Sequence, residues 1–527
     1  MIRINDLHLP PDYTEEQLRK TVARCLHIAP REIKEISLFR RAVDARKKEA
    51  VCFCLSVDVN VSCEEAPLLR RPHVSQSTVP VYTPVIPNGE PQHRPVVVGG
   101  GPAGLFAALI LARAGLRPIL VERGRDVDTR TADVERFRAT GVLDTASNVQ
   151  FGEGGAGTFS DGKLNTGIKD PRCRLVLEEF VAAGAPQEIL WQAKPHVGTD
   201  KLKETVKGLR RAIVANGGEV RFGCLVTDVV LRGNTLSALR LLCNGEEEEI
   251  PCSHAIFAIG HSARDTVTML YERGIPMEQK PFAVGVRIEH PRTWIDTAQY
   301  GSFAGHPALG AADYKLSCHL PNGRGVYTFC MCPGGEVIAA ASEAGGVAVN
   351  GMSEFARNST LSNSALLVGV NPSDFTSDHA LAGIALQRDM EQAAFRLGGG
   401  DYRAPAQTVG DFLTDTPSRG FSAVIPSYRP GVTPADLREC LPSYVAHSLK
   451  DALPLLGRKL NGFDSPAAVL TGVESRSSSP VRISRDASGQ SAVRGIFPCG
   501  EGAGYAGGIT SAAADGIRCA EWLIRSL

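Results

Sequence analysis

The sequence lacks several features that define common classes of protein. None of its fourteen cysteines are spaced as CxxC or CxxxxC, which argues against a zinc ribbon and against a disulfide reductase. Basic and acidic residues number 57 each, so no net field attracts nucleic acid or an anionic membrane. The amino terminus shows no apolar stretch of signal-peptide length, and we therefore expect a cytoplasmic protein.

Two CxC pairs are present, Cys52/Cys54 and Cys330/Cys332, each in an alternating, strand-like run. Period two places both thiols of a pair on one face, about 6.6 Å apart, which is at the edge of disulfide reach. We expect buried, reduced cysteines. Redox activity at Cys330 and Cys332 is the alternative.

The first 94 residues divide into two segments. Residues 1–66 predict a small α+β, ferredoxin-like unit: Ile2–Leu9 alternates like a strand, and TEEQ at Thr14 is a capping-box pattern. Prolines recur through 67–94 without periodicity, which is typical of an extended linker.

A dinucleotide-binding fingerprint follows. The apolar strand VVV leads into G-x-G-x-x-G and a helix. Gly99 permits the tight turn, and Gly101 lets a pyrophosphate approach the main chain. Gly104 allows the helix and the strand to pack closely. Glu122, at the end of the next strand, can accept a hydrogen bond from a ribose 2′-OH. The predicted contacts here are Gly99, Gly101, Pro102, Ala103, Gly104, Glu122 and Arg123.

The carboxyl-terminal residues distinguish FAD from NAD. A strand-like GIFPCG leads to an acidic residue, a glycine turn and a helix. A pure NAD domain needs no such returning element. In two-dinucleotide-type FAD domains the acid holds the ribitol and the helix points its amino terminus at the flavin. Predicted contacts are Gly500, Glu501, Gly507, Gly508 and Ile509, with Val226 beside the adenine and Gly260 at the closing turn.

These elements predict an α/β fold. A Rossmann-like FAD-binding domain of the two-dinucleotide-binding type is interrupted by a mixed α+β substrate domain and preceded by the small α+β unit. The FAD-binding domain is expected over 95–275 and 465–527, and the inserted substrate domain over 276–464.

A second glycine-rich stretch, EGGAGTFSDGKLN at 153–165, has no phosphate left to hold. Glycines let main chain pack closely against a ligand, and the isoalloxazine ring is the part of FAD still uncovered. We therefore expect this loop beside the flavin. The predicted contacts are Gly154, Gly155, Gly157, Thr158, Ser160 and Leu164.

Longer motifs resemble a known family. RPVVVGGGPAGLFAA, GEGGAGTFSDGKL, FCMCPGG, NGMS, GVESRSSSPVRI and CGEGAGYAGGI are similar to bacterial and plastid FAD-dependent dehydrogenases, known broadly as NAD(P)/FAD-dependent oxidoreductases. Aminoacetone-oxidase-type and p-hydroxybenzoate-hydroxylase-like flavoproteins are more distantly similar. The resemblance spans nearly the whole chain and implies FAD contacts at the glycines, acids and loop named above. It names no substrate.

The leading hypothesis is an FAD-dependent oxidoreductase that transfers hydride to or from a small organic substrate. Outside the two glycine turns already assigned to FAD, no G-x-G-x-x-G follows a strand, so NAD(P)H would act only as a transient donor or acceptor. Lys163 and Asp161 are candidate catalytic residues that could touch the flavin edge or a substrate anion, and Cys330 and Cys332 are weaker ones. We expect no metal, nucleic-acid or membrane partner, and the oligomeric state is left open.

Three alternatives remain: a flavin monooxygenase, an RNA-modifying flavoprotein using the basic turn at 40–48, and a non-catalytic flavin sensor. His290 and His319 are possible proton donors, although structural roles explain histidines equally well. Arg476 and Arg482 could hold an acidic substrate or pair with carboxylates.

Overall fold

The computed structural model describes all 527 residues. The amino-terminal unit consists of β1 (Ile2–Leu9), α1 (Glu15–Leu26), β2 (Ile33–Asp44), β3 (Cys52–Val61) and β4 (Val74–Gln76). Its strands pair antiparallel in the order β2-β3-β1-β4, which is the order of a ferredoxin-like sheet. A 3₁₀ turn, Leu68–Arg70, stands where such a sheet has its second helix.

Helix α1 begins as the sequence predicts. The Thr14 hydroxyl accepts a hydrogen bond from the Gln17 N–H at 3.2 Å, and the Gln17 side chain accepts one from the Thr14 N–H at 2.7 Å, so the capping box is confirmed. Strand β4, however, lies inside the segment expected to be linker. Three residues are too few to leave a periodic signal, and the paired sheet therefore extends to Gln76.

The next part of the chain opens with the predicted strand, glycine turn and helix. Gly101 is the N-cap residue of that helix, and Pro102 occupies its first position, where a missing N–H breaks no helical hydrogen bond. The elements are β5 (Val96–Val98), α2 (Pro102–Arg113), β6 (Ile119–Glu122), α3 (Val127–Thr140), α4 (Arg172–Ala182), α5 (Thr199–Ala215), β7 (Glu219–Phe222), β8 (Cys224–Arg232), β9 (Thr235–Cys243), β10 (Glu246–Pro251), β11 (Ala255–Phe257) and α6 (Arg264–Glu272).

The remaining elements supply a second large sheet and then return to the first. They are β12 (Met277–Gln279), β13 (Phe282–Pro291), α7 (Arg292–Tyr300), β14 (Ser317–His319), β15 (Gly325–Cys332), β16 (Glu336–Ala339), β17 (Val349–Met352), β18 (Leu361–Val370), α8 (Ala382–Gly398), β19 (Ala404–Thr408), α9 (Val409–Leu413), β20 (Val432–Pro434), α10 (Ser443–Gly457), β21 (Val469–Glu474), β22 (Val481–Ile483), β23 (Ile496–Pro498) and α11 (Ile509–Arg525).

Two sheets dominate the structure. The first has the order β23-β11-β5-β6-β7 and its paired strands are parallel, so the carboxyl-terminal strand completes the domain that β5 begins. The second has seven strands in the order β14-β15-β18-β13-β21-β19-β20. Strand β21 thus belongs to the second sheet, although we assigned residues from 465 onward to the FAD-binding domain. Its sequence, VLTGVE, is typical of a strand, but nothing local encodes which sheet it joins.

The amino-terminal unit is packed against the rest of the chain. One apolar core runs from its sheet into the seven-stranded sheet. At the edge of β2, the Arg41 N–H donates to the Trp191 carbonyl at 2.7 Å, and the Ala193 N–H donates to the Arg41 carbonyl at 2.9 Å. The Arg41 guanidinium lies 4.5 Å from the Trp191 ring centre, so this member of the basic turn is part of a domain contact.

The helices carry no membrane-spanning segment, since none of them is both long and apolar enough to cross a bilayer. Residues 95–112, which include no charged side chain, form β5, the glycine turn and all of α2 except its last residue.

Arg130 of α3 is fully buried and organises the loop that follows its helix. Its guanidinium donates to the main-chain carbonyls of Asn148 at 2.8 Å, Val149 at 2.8 Å and Glu153 at 2.7 Å. Burial lowers the pKa of Arg130 to about 10, so the side chain remains charged at neutral pH.

We expect Arg130→Met to lower the free energy of unfolding by about 3 kcal/mol, because three buried carbonyls lose their donors at ~1 kcal/mol each. Urea denaturation measures the change. Arg136→Met, on the same helix, is the matched control: its side chain is half exposed and its ion pairs are 3.5 Å or longer. A change within about 0.5 kcal/mol is expected there, and equal effects of the two substitutions would contradict the assignment.

Candidate active site

A cavity of about 440 Å³ is lined by residues from both large sheets. Its wall contains the glycine turn at 99–104, which we call the phosphate-binding turn because of its predicted role. It also contains part of the 153–165 loop and the start of α11. Most of the predicted cofactor contacts lie on this wall: Gly99, Gly101, Pro102, Ala103, Glu122, Arg123, Gly155, Gly157, Ser160, Val226, Gly260, Glu501, Gly507, Gly508 and Ile509.

The other predicted contacts, Gly104, Gly154, Thr158, Leu164 and Gly500, do not line the cavity. A Cβ at Gly104 would overlap the Gly99 carbonyl, so this glycine serves helix–strand packing. The Gly500 N–H donates to Asp515 at 2.8 Å, and the Leu164 carbonyl accepts a hydrogen bond from Thr510 at 2.7 Å. Gly104, Leu164 and Gly500 therefore support the wall, and contact of these five residues with the cofactor stays a prediction.

Glu122 is almost completely buried, and both of its carboxylate oxygens accept main-chain hydrogen bonds. One oxygen accepts from the Gly100 N–H at 2.6 Å, and the other from the Gly124 and Gly152 N–H groups at 2.8 and 2.9 Å. The residue predicted to bind a ribose therefore also ties together the phosphate-binding turn and the second glycine-rich loop.

The second glycine-rich loop packs against the first, main chain to main chain. The Gly154 N–H donates to the Gly100 carbonyl at 2.8 Å. Gly155 has φ +62°, and a Cβ there would stand 3.0 Å from the Gly101 Cα. A Cβ at Gly157 would stand 3.2 Å from Ile509. The loop therefore shapes the cavity where the turn meets α11, and its contacts with a flavin remain a prediction.

Lys163 and Arg357 line the cavity and share a buried partner, Asp161. The Asp161 Oδ2 atom lies 3.0 Å from the Lys163 Nζ and 2.6 Å from an Arg357 nitrogen, and Asp161 also accepts from Ser353. Although burial opposes both effects, these cations hold the pKa of Asp161 well below its usual range, and Asp161 raises the pKa of Lys163. Asp161 does not reach the cavity; it positions the two cations that do, which corrects our assignment of it as a contact residue.

Only Cys330 of the second CxC pair lines the cavity, while Cys332 is buried behind it. The register of β15 shifts between Phe329 and Cys332, and Cys330 has φ +42°. This bulge interrupts the alternation that we used to place both thiols on one face.

The fully buried Arg287 supports the bulge from β13. It donates to the Cys330 carbonyl at 2.5 Å and to both carboxylate oxygens of Glu474 at 3.0 Å. Glu474 also lines the cavity. Burial raises the pKa of Glu474 to about 7, against the opposing charge of Arg287.

Several cavity residues were not predicted from the sequence. His261 is one: its Nδ1 lies 3.2 Å from a Glu501 carboxylate oxygen, beside the expected ribitol site. The sequence signal that could have identified His261 is its position directly after Gly260, a predicted cofactor contact. The inserted domain contributes Tyr314, Lys315, Phe329 and Met331, among others, and no local pattern distinguishes these from ordinary strand and turn residues.

Other candidates have structural roles. His290 is fully buried with its Nε2 2.8 Å from the Phe463 carbonyl, and burial lowers its pKa to about 4. Arg476 makes a bidentate ion pair with Glu391 at 2.9 and 2.8 Å. His290 is therefore not free to act on a substrate, whereas Arg476 also lines the cavity beside its ion pair.

The wall fits an FAD molecule. The first turn of α2 and the start of α11 both face the cavity at glycines, which leaves their free N–H groups accessible to phosphate and flavin oxygens. A Cβ added at Gly507 would meet nothing within 4 Å, so this part of the wall is open to a ligand. Glu122 and Glu501 supply acceptors for ribose and ribitol hydroxyls.

Comparisons with known proteins agree with this fit. Residues 94–269 match the family model of an FAD-binding domain, residues 281–477 match "FAD-dependent protein, C-terminal domain-like", and residues 1–60 match a domain of unknown function. An uncharacterized protein of Clostridium beijerinckii is 48% identical over 530 residues, covering 99% of this chain and 98% of its own.

Two solved structures with the same cofactor class are also similar. A triple mutant of the flavin-dependent brominase Bmp2 is 14% identical over 82% of this chain and 81% of its own, with a TM-score of 0.38. A flavoprotein/dehydrogenase from Cytophaga hutchinsonii is 12% identical over 82% and 77%, with a TM-score of 0.35. Scores this low carry no information about the reaction.

We expect Gly155→Val to reduce the flavin-to-protein ratio by about tenfold or more, because a valine at φ +62° is strained by roughly 1–3 kcal/mol and would press on the phosphate-binding turn. Absorbance of the purified protein measures the ratio, and the amino-terminal unit should stay folded. Gly115→Val is the matched control: Gly115 has φ +79° but open space around it. Equal loss of flavin in both variants would show that strain alone is responsible.

Proposed function

Because the chain belongs to a family of FAD-dependent oxidoreductases, we propose that it transfers hydride between FAD and a small organic acid. The observation that carries this proposal is the extent of the cavity. Its wall includes the phosphate-binding turn, Val226 and Lys163 of the FAD-binding domain, and also Arg357 and Cys330 from the opposite domain. A dinucleotide held by the turn would therefore lie in the same cavity as the charged side chains that could bind a substrate.

Bound FAD supplies the hydride donor and acceptor. The chain supplies charge and position. Lys163 and Arg357 present two cations to the cavity, and their shared contact with the buried Asp161 keeps both in place. Cations so placed favour a carboxylate-bearing substrate and would stabilise negative charge that develops during the reaction.

Glu474 is our candidate for proton exchange. A carboxyl whose pKa is near 7 can hold or release a proton at neutral pH, as a general acid or base requires. Its contact with Arg287 fixes its orientation toward the cavity.

We further propose that NAD(P)H, if it is the electron donor, binds only transiently, since the two G-x-G-x-x-G runs that follow a strand, at 99–104 and 502–507, are both assigned to FAD. A cytoplasmic location is also proposed. All cysteines except Cys224 and Cys243 are free thiols, and free thiols persist in a reducing compartment.

The test is anaerobic reduction of the purified flavoprotein. NADH, NADPH and a panel of organic acids are added in turn while the visible flavin band is followed. Loss of the band with one organic acid, slowed by Lys163→Met, supports the proposal. Absence of flavin would overturn it, as would a flavin that no compound reduces. Reoxidation by O₂ with a hydroxylated product would instead favour a monooxygenase.

The role of Glu474 predicts how the flavin midpoint potential depends on pH. Reduction places negative charge in the cavity and should raise the Glu474 pKa further, so above pH 7 each reduction takes up an additional proton. The potential should then fall by about 60 mV per pH unit in the native protein and by about 30 mV in Glu474→Gln.

Glu289→Gln is the matched control for this titration. Burial also raises the pKa of Glu289 to about 7, but its side chain bonds to Ser427 and does not line the cavity. The steep slope should survive in this variant. A slope that Glu289→Gln removes, or that Glu474→Gln retains, would contradict the assignment.

A further inference from the structure

The cavity wall contains a strained strand residue at Cys330. This residue has φ +42° within a strand, in the left-handed region that non-glycine residues rarely adopt. The register shift between Phe329 and Cys332 places it in a bulge. Such outliers persist only where neighbouring groups hold them, and they are concentrated at functional sites.

Arg287 holds this conformation. It is fully buried, and its guanidinium donates to the Cys330 carbonyl at 2.5 Å. The same nitrogen lies 3.7 Å from the Cys332 Sγ. Asn363 at 2.7 Å and Glu474 at 3.0 Å fix the remaining donors. These buried contacts hold Arg287 in position, and Arg287 in turn fixes the main chain between the two cysteines.

The bulge brings the two thiols into contact. The Cys332 Sγ donates to the Cys330 carbonyl at 3.3 Å, which places it beside the Cys330 side chain. The neighbouring Cys332 thiol, together with Lys163 and Arg287, lowers the pKa of Cys330 to about 5 despite its burial. The pKa of Cys332 is raised well above its usual value. One thiolate and one thiol therefore stand side by side, and the thiolate faces the cavity.

No other pair of neighbouring free cysteines reaches the cavity. The sulfurs of Cys499 and Cys519 lie within 4.8 Å of each other, but neither residue lines the cavity. Cys52 and Cys54 lie on the amino-terminal sheet, and neither lines the cavity. Cys224, also on the cavity wall, is already joined to Cys243.

We propose that Cys330 and Cys332 form a dithiol–disulfide couple that exchanges two electrons with the flavin. The inference rests on the proposed function, which supplies the FAD. On oxidation an S–S bond forms between the Cys330 thiolate and Cys332, and the Cys332 S–H bond breaks. Two electrons and that proton pass to the oxidised flavin, which becomes the singly protonated reduced anion, so atoms and charge balance. The reverse step reopens the disulfide.

The first experiment maps the thiols and needs no activity. Protein is treated with diamide, alkylated, reduced, alkylated with a second reagent and digested with trypsin. Both cysteines fall in one tryptic peptide, 325–357, which contains no other cysteine. We expect the first reagent to miss both residues after diamide and to label both without it. Labelling of both by the first reagent after diamide would overturn the proposal, with or without flavin present.

The second experiment counts electrons in the holoprotein. Diamide-treated, desalted protein is titrated anaerobically with dithionite. Native protein should take up two more electrons per flavin than Cys332→Ser, and Cys440→Ser, a buried thiol outside the cavity, should behave as native. Equal uptake by native protein and Cys332→Ser would overturn the proposal. A protein that holds no flavin would contradict the proposed function instead. The alkylation experiment would still show whether the disulfide forms.

Discussion

The cavity depends first on one buried carboxylate. Glu122 accepts three main-chain N–H groups, from Gly100 in the phosphate-binding turn, from Gly124 two residues after β6 and from Gly152 directly before the second glycine-rich loop. Only an ionised carboxylate accepts through both oxygens without presenting a donor of its own. Its position fixes the 152–155 main chain, and that main chain leads directly to Asp161, Lys163 and the charged part of the cavity. The carboxylate predicted to contact the ribose thus also connects two loops that lie far apart in the sequence.

Buried arginines play the complementary role. Arg130 binds two carbonyls that precede the glycine-rich loop and the carbonyl of its first residue, and Arg287 holds the bulge at Cys330. Both are fully buried, and each fixes irregular main chain that no regular hydrogen-bond pattern would maintain. The cost of burying a guanidinium is offset because its donors are almost all used. Carboxylate and guanidinium together convert flexible glycine-rich and bulged segments into a defined wall.

Local signals in the sequence were sufficient for the cofactor half of the molecule. The strand, turn and helix at Gly99–Gly104, the acid at Glu122 and the return at Glu501 each leave a pattern within a few residues. The substrate half was not predictable in the same way. The pairing partner of β21, the three-residue β4 and the bulge at Cys330 are decided by contacts between distant segments. His261 and Glu474 acquire their surroundings only when two sheets meet, so no spacing along the chain identifies them.

The contact between β2 and residues 191–193 has a consequence for how this protein is inherited. Immediately after that contact the chain supplies Lys194 to the cavity wall, and then residues 195–197 pair with 162–164 around Lys163. A single extended segment therefore connects the outermost sheet to the reactive centre. Deleting or exchanging the first domain would leave this segment with an unpaired edge and a displaced lysine. Recombination at the proline-rich linker would therefore remove the strand edge that pairs with residues 191–193, directly before Lys194 on the cavity wall.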